Sequence, residues 1–154
     1  MPIKDGDLID LGGGYEVEVF DIGGHTPGSV AFLDKKRNIM LVGDAIGVWM
    51  QVPNALTLSE YKKELIHFAE RLSAPEYANV VMLPGHFKQQ GGYPPYGDRY
   101  APNDLQKVKD LITLCDMILN EEVEFAPYFR SFDKQAYAAS YGQASIVFTE
   151  DSLK

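Results

Sequence analysis

The sequence predicts a mixed α/β domain (α+β by some schemes), and three observations carry that expectation. Several short apolar runs, most of them closed by glycine, read as strands. Two longer stretches repeat apolar residues at three- and four-residue steps and read as amphipathic helices. Apolar strands of this kind must be covered by helices, and 154 residues fit a single domain over residues 1–154.

In chain order, "YEVEVFDI" (Tyr15 to Ile22) begins with apolar and polar residues in alternation, the pattern of a strand. "SVAFLD" (Ser29 to Asp34) and "IMLVG" (Ile39 to Gly43) flank the turn "KKRN" and form a hairpin. "TLSEYKKELIHFAERL" opens with Thr57 and Glu60 at capping-box spacing, and Tyr61, Leu65, Phe68 and Leu72 make its core stripe. "NVVML" (Asn79 to Leu83) is a short strand that ends in "PGH". The irregular "QQGGYPPYGDRYAPND" follows, long enough for a functional loop. A second helix runs from about Asp104 to Asn120 with Leu105, Val108, Ile112, Cys115 and Leu119 on one side. "ASIVFT" (Ala144 to Thr149) is a final strand.

Composition narrows the function. With 14 basic and 22 acidic residues the formal net charge is -8, which argues against nucleic-acid and anionic-membrane partners, since both need a positive footprint. No apolar run spans a bilayer and no basic-then-apolar leader follows Met1. The lone Cys115 rules out an internal disulfide and fits a reducing, cytoplasmic setting; its place in "LITLCDMIL" is that of a small core residue. There is no Gly-x-Ser-x-Gly elbow for a serine hydrolase, and "IGGHTPGS" lacks both the Walker lysine and dinucleotide glycine spacing.

One design recurs three times: an apolar strand, a tight glycine-containing turn, then a metal-competent side chain. His25 follows "VEVFDIGG", Asp44 follows "NIMLVG", and His86 follows "NVVMLPG". Strand ends are rigid platforms at the rim of a sheet, and glycine lets the backbone bend sharply beside a ligand. Pro27 limits the motion of the loop after His25. Imidazole with carboxylate suits zinc, iron or manganese. Each piece alone reads more simply as a turn; agreement of all three, in order, favours a metal site.

"GHTPGS", the strand-ending "GD" and the strand-ending "PGH" resemble the third, fourth and fifth motifs of the metallo-β-lactamase-fold hydrolases, across roughly Asp7 to His86. The resemblance implies that His25 binds a first zinc, His86 a second, and Asp44 bridges both. Gly24, Thr26, Pro27, Gly28, Ser29, Gly43 and Gly85 would shape the loops. A metal-bound water near Asp44 would attack an ester, lactone, thioester, amide or phosphodiester of a small-molecule substrate. The family's leading His-x-His-x-Asp-His loop has no counterpart here. The sequence therefore resembles the C-terminal half of a four-layer αββα sandwich. Its third histidine, His67 in "ELIHFAE", reads as a helix-surface residue.

Two consequences follow from that departure. Two ligands per ion, one shared, fall below the three protein ligands of a catalytic zinc, so this chain should bind zinc weakly and be inactive alone. A half-sandwich also exposes an inner apolar face, formed by residues such as Val17, Val30, Phe32, Leu41 and Val81, for a homodimer or the missing N-terminal half to cover. Tyr93, Tyr96, Tyr100 and Arg99 either wall and bind a substrate or pack a surface loop; packing is the simpler reading. Trp49 is core or pocket wall, and "NEEVE" near Glu121 is a solvated helix end. The competing function is a non-catalytic association or protein-binding domain on the same scaffold.

Overall fold

The β3–β4 hairpin shows how local chemistry sets the architecture. β3 (Val30–Asp34) and β4 (Ile39–Gly43) pair antiparallel, with Phe32 opposite Leu41 and Leu33 opposite Met40. Between them the Asp34 carboxylate accepts the backbone N–H groups of Lys36 and Arg37, and Asn38 takes a left-handed φ of 54°. Asn tolerates that conformation better than most residues. The computed structural model describes residues 2–47, 50–51, 56–85, 103–128 and 134–153.

The larger sheet is ordered β1-β2-β3-β4-β6, adding β1 (Leu8–Gly12), β2 (Tyr15–Asp21) and β6 (Val81–Pro84). Neighbours are antiparallel except β4 and β6, which are parallel and joined through helix α1 (Leu58–Leu72). Thr57 caps α1 as expected: its hydroxyl accepts the Glu60 N–H at 3.1 Å, and Glu60 Oε2 accepts the Thr57 N–H at 2.8 Å. A smaller sheet is ordered β5-β9-β8-β7: β5 (Met50–Gln51), β7 (Ala126–Pro127), β8 (Ala136–Tyr141) and β9 (Ala144–Thr149). Helix α2 (Leu105–Leu119) packs against both α1 and the β8–β9 pair. Among the described residues no helix is long and apolar enough to cross a membrane.

The larger sheet has two unlike faces. Phe20, Ala31, Leu33, Met40, Val42 and Met82 join Leu58, Tyr61, Leu65, Phe68 and Leu72 of α1 in the core. Phe20 meets Phe68 and Tyr77 edge-on, at ring separations of 6.0 and 5.3 Å. The register places Phe32, Leu41 and Leu83 in one row on the opposite face, with Ile39 beside Val81. There Leu41 is 54% and Val81 41% exposed, while Val17, Val30 and Phe32 are half-buried. Val19, opposite Phe32 on this same face, is fully buried, so the exposure is concentrated at Leu41 and Val81.

Several elements depart from the sequence expectation, among them β1, β8 and α2. β1 and β8 carry no strong alternation, and each is a strand because of its partner: β1 lies against β2, and β8 completes a hairpin with the fully buried β9. The stripe expected on α2 is rotated. Leu105, Ile112 and Leu119 are only partly buried, while Val108, Leu111, Leu114, Cys115 and Ile118 are buried together with Lys107 and Asp110. A helix wedged between another helix and a hairpin buries a wider arc than a one-sided stripe predicts. Burial pushes the Cys115 thiol up to about 12, the neighbouring Asp116 adding to it, which fits an inert core thiol.

A polar network fastens the far end of α1. The Arg71 guanidinium stacks 3.7 Å from the Phe20 ring centroid, donates to the Val19 carbonyl at 3.0 Å, and pairs with Asp5 and Glu18. Glu18 is 6% exposed and also accepts from Tyr77 Oη at 3.0 Å and from Lys35 Nζ at 2.7 Å. Burial alone would raise the Glu18 pKa, but the Lys35, Tyr77 and Arg71 contacts outweigh it and hold the carboxyl below its ordinary value.

Lys107 is the contrasting case, 1% exposed and lowered to about 8 by burial, with Asp104 and Asp110 only partly opposing. Its charge therefore costs folding free energy below about pH 8, and the cost fades as pH rises toward the unfolded value near 10.5. Lys107→Met is expected to stabilise the fold at pH 7 by up to roughly 3 kcal/mol. Urea unfolding of both proteins between pH 7 and 10 checks this: the gap should close as pH rises.

Candidate functional site

Because β2 and β4 both run antiparallel to β3, and β6 runs parallel to β4, strands β2, β4 and β6 share one direction. Their C-terminal ends therefore open on the same edge of the sheet. The segments following those ends carry His25, Asp44 and His86.

The His25 loop is folded on itself. The Ile22 N–H donates to the Ser29 carbonyl at 3.1 Å and closes the base, while the N–H groups of Gly24 and Ser29 both donate to the Thr26 carbonyl at 3.2 Å. The Thr26 N–H donates to Ser29 Oγ at 3.3 Å, and the two hydroxyl oxygens lie 2.9 Å apart. His25 is half-buried at the head of this loop, and Thr26, Pro27 and Gly28 are exposed.

The Asp44 turn is equally constrained. Gly43 takes a φ of 54°, which favours glycine, and the Ala45 N–H donates to the Val42 carbonyl at 3.2 Å. The Gly85 N–H donates to the Gly43 carbonyl at 2.7 Å, tying the end of β6 to the end of β4. A Cβ on Gly85 would stand 2.6 Å from Asp44 Oδ1, so the half-buried carboxylate rests directly on the Gly85 backbone. A Cβ on Gly24 would stand 3.2 Å from Ala45 Cβ and 3.1 Å from Tyr61 Cε2. The Asp44–Ala45 turn is thus flanked by the His25 loop on one side and by Gly85 on the other.

His86, next along the chain from Gly85, lies outside the described residues, as do Trp49, Tyr93, Tyr96, Arg99 and Tyr100. His67 is a surface residue of α1, its Nε2 3.8 Å from Asp5 Oδ2. Among the described residues no group of three or more His, Cys, Asp or Glu side chains is placed to hold a metal ion. His25 and Asp44 are two donors where a catalytic zinc takes three, so the described residues do not complete a metal site. A pocket of about 300 Å³ at the far end of α1, lined by Leu72, Ser73, Tyr77 and Asp104 among others, contains none of these candidates.

Two residues of the site escaped the sequence reading. Tyr61 is fully buried, and its hydroxyl donates to the Ala45 carbonyl at 3.1 Å. Glu64 lies against the His25 loop, its Cγ 2.9 Å from where a Cβ on Gly23 would sit. Their i, i+3 spacing, on the α1 face that also holds Leu65, is the only sequence signal for this role.

No protein family's sequence profile matches the chain, and no curated protein does. The fold is similar to that of a metallo-beta-lactamase family protein from Thermus thermophilus, with a TM-score of 0.51 and 21% identity over 79% of this chain and 36% of that one. The chain carries part of a metallo-beta-lactamase fold. A metallo-beta-lactamase from Staphylococcus aureus matches at a TM-score of 0.39 and 21% identity, over 72% of this chain and 38% of that one. The chain spans a little over a third of the length of the metallo-beta-lactamase proteins it matches, 36% and 38%.

The glycines separate by contact. Gly24→Ala forces a methyl against Ala45 and Tyr61 and is expected to cost about 1–3 kcal/mol, as overpacking does. Gly28 faces open space, so Gly28→Ala should stay within about 0.5 kcal/mol of the parent. Thermal unfolding of the two variants side by side is the check.

Proposed function

We propose that this chain contributes one half of a metal-dependent, zinc-type hydrolase site of the metallo-β-lactamase superfamily, and that it is inactive by itself. The observation that carries the reading is the packing of Gly24 and Gly85 on either side of the Asp44–Ala45 turn, which draws the His25 loop, Asp44 and the residue before His86 to one sheet edge. Glycine at both contacts lets backbone approach where any side chain would separate the segments. The fold similarity supports the superfamily assignment. His25, Asp44 and His86 would be the donors from this chain, and the remaining ones would come from a segment that this sequence does not contain. The substrate would be a small molecule.

Calorimetric titration of the chain with zinc is expected to show weak or no binding, and assays with ester, lactone and phosphodiester substrates no turnover. Tight stoichiometric uptake by a verified monomer would refute the half-site.

The exposed apolar residues on the second face of the larger sheet favour a second reading, association, because contiguous exposed apolar patches often mark interaction surfaces. Leu41 and Val81, 54% and 41% exposed, mark that face, and we propose that a second copy of the chain covers it. Sedimentation at micromolar concentration should then give twice the 17.2 kDa chain mass, and Leu41→Glu should shift the species to one chain mass. A clean monomer for the parent protein overturns this second proposal.

A further inference from the structure

We propose that Tyr61 is a positioning residue that couples the His25 loop to the Asp44 turn, so that the two segments hold one mutual arrangement. The inference rests on the reading of this sheet edge as a functional site, but not on any metal or substrate being bound.

Tyr61 belongs by spacing to the core stripe of α1, alongside Leu65, Phe68 and Leu72, and it is fully buried. A leucine would satisfy that stripe. The phenol does two things a leucine does not. Its ring edge stands 3.1 Å from the Cβ position of Gly24, which leaves the residue before His25 room for backbone only. Its hydroxyl donates to the carbonyl of Ala45, the residue after Asp44, at 3.1 Å. Ala45 in turn meets Gly24 directly, its Cβ and Cα at 3.2 and 3.4 Å from the same position. Ring, loop and turn thus form a closed triangle of contacts. One turn of helix further on, Glu64 fills the space above Gly23, so α1 presses on two successive glycines of the loop.

The buried hydroxyl fixes the direction of the Ala45 carbonyl, because an unpaired buried carbonyl is costly and its donor is held by a rigid ring. The peptide that this carbonyl orients lies one residue beyond Asp44. The ring blocks Gly24 from sliding toward α1. Neither segment can shift without disturbing the Tyr61 contact that it shares with the other.

Amide hydrogen exchange followed by NMR tests this on the full chain, without metal. Gly24, Ser29 and Ala45 each donate a backbone hydrogen bond within these segments, so their exchange reports local opening. Tyr61→Phe keeps the ring and removes the hydroxyl. Exchange at all three amides should speed about tenfold, with the His25 ring resonances shifting, while amides in the β3–β4 ladder stay at parent rates. Tyr77→Phe removes a different buried hydroxyl, the one donated to Glu18, and should leave the three amides unchanged. The coupling is refuted if Tyr61→Phe leaves the three amides at parent rates or accelerates only one segment. Uniform acceleration across all strands also refutes it, since that marks a purely structural tyrosine. Should Tyr61→Phe fail to fold, Gly24→Ala is read the same way and must speed exchange at Ala45 as well as in its own loop. Failure of zinc binding or hydrolysis would leave these rates untouched, so the two readings fail separately.

Discussion

Burial of one face of the larger sheet under α1 is the interaction on which the other features depend. Phe20, Leu33, Met40 and Val42 alternate with residues of the opposite face, so a slip of one residue in any pairing would turn the core outward. Register is therefore set by the helix-facing rows. Register in turn fixes where β2, β4 and β6 stop, and so where His25 and Asp44 stand. The site is a consequence of where the apolar rows run out, more than of any interaction among its own side chains.

The helix is fastened differently at its two ends. Near its C-terminus Arg71 reaches Asp5, the Val19 carbonyl and Glu18, with Tyr77 and Lys35 completing the shell around the Glu18 carboxylate. Near its N-terminus the contacts are mixed: the buried Tyr61 hydroxyl, the glycines of the His25 loop with Glu64 against Gly23, the Thr57–Glu60 capping box, and the Lys62–Asp116 ion pair. A charged group at the Tyr61 position would stand among the candidate donors and bias their protonation. A neutral phenol orients the backbone without adding a charge there. Salt would screen the exposed ion pairs at both ends, Lys35 and Asp5 at one and Lys62–Asp116 at the other, while leaving the buried phenol contact unchanged.

What the sequence showed and hid divides by range. Thr57 and Glu60 three residues apart, and glycine after each of the three strands, are local signals that the structure follows. Glu18 is the opposite case. In "YEVEV" it alternates like a solvent residue, yet it is 6% exposed because Arg71 and Tyr77, 53 and 59 residues away, meet it on the helix side of the sheet. No spacing rule reports a partner at that distance. The buried arc of α2 is wider than its stripe for a related reason: a one-sided stripe cannot anticipate a hairpin that begins 17 residues beyond the helix, at Ala136. Tyr61 was legible as core and illegible as a contact of two loops, because its hydroxyl partner lies sixteen residues earlier on another element.

The two unfinished aspects of the chain have one geometric root. Among the described residues the larger sheet has a helix packed on one face, and on the other Leu41 and Val81 are exposed. A rim formed by three strand ends of one sheet likewise brings donors from one side only, His25 and Asp44 among the described residues. A second layer that covered Leu41 and Val81 would bring its own strand ends toward the same rim, close to where a metal would lack ligands. On the proposed reading, then, covering the face and completing the site are one event. Whatever polypeptide buries the sheet must also carry the missing donors if it is to make an enzyme. A second copy of this chain brings only another His25, Asp44 and His86. On the proposed reading it could cover that face while still lacking a His-x-His-x-Asp-His loop, so such association would not by itself supply a complete site.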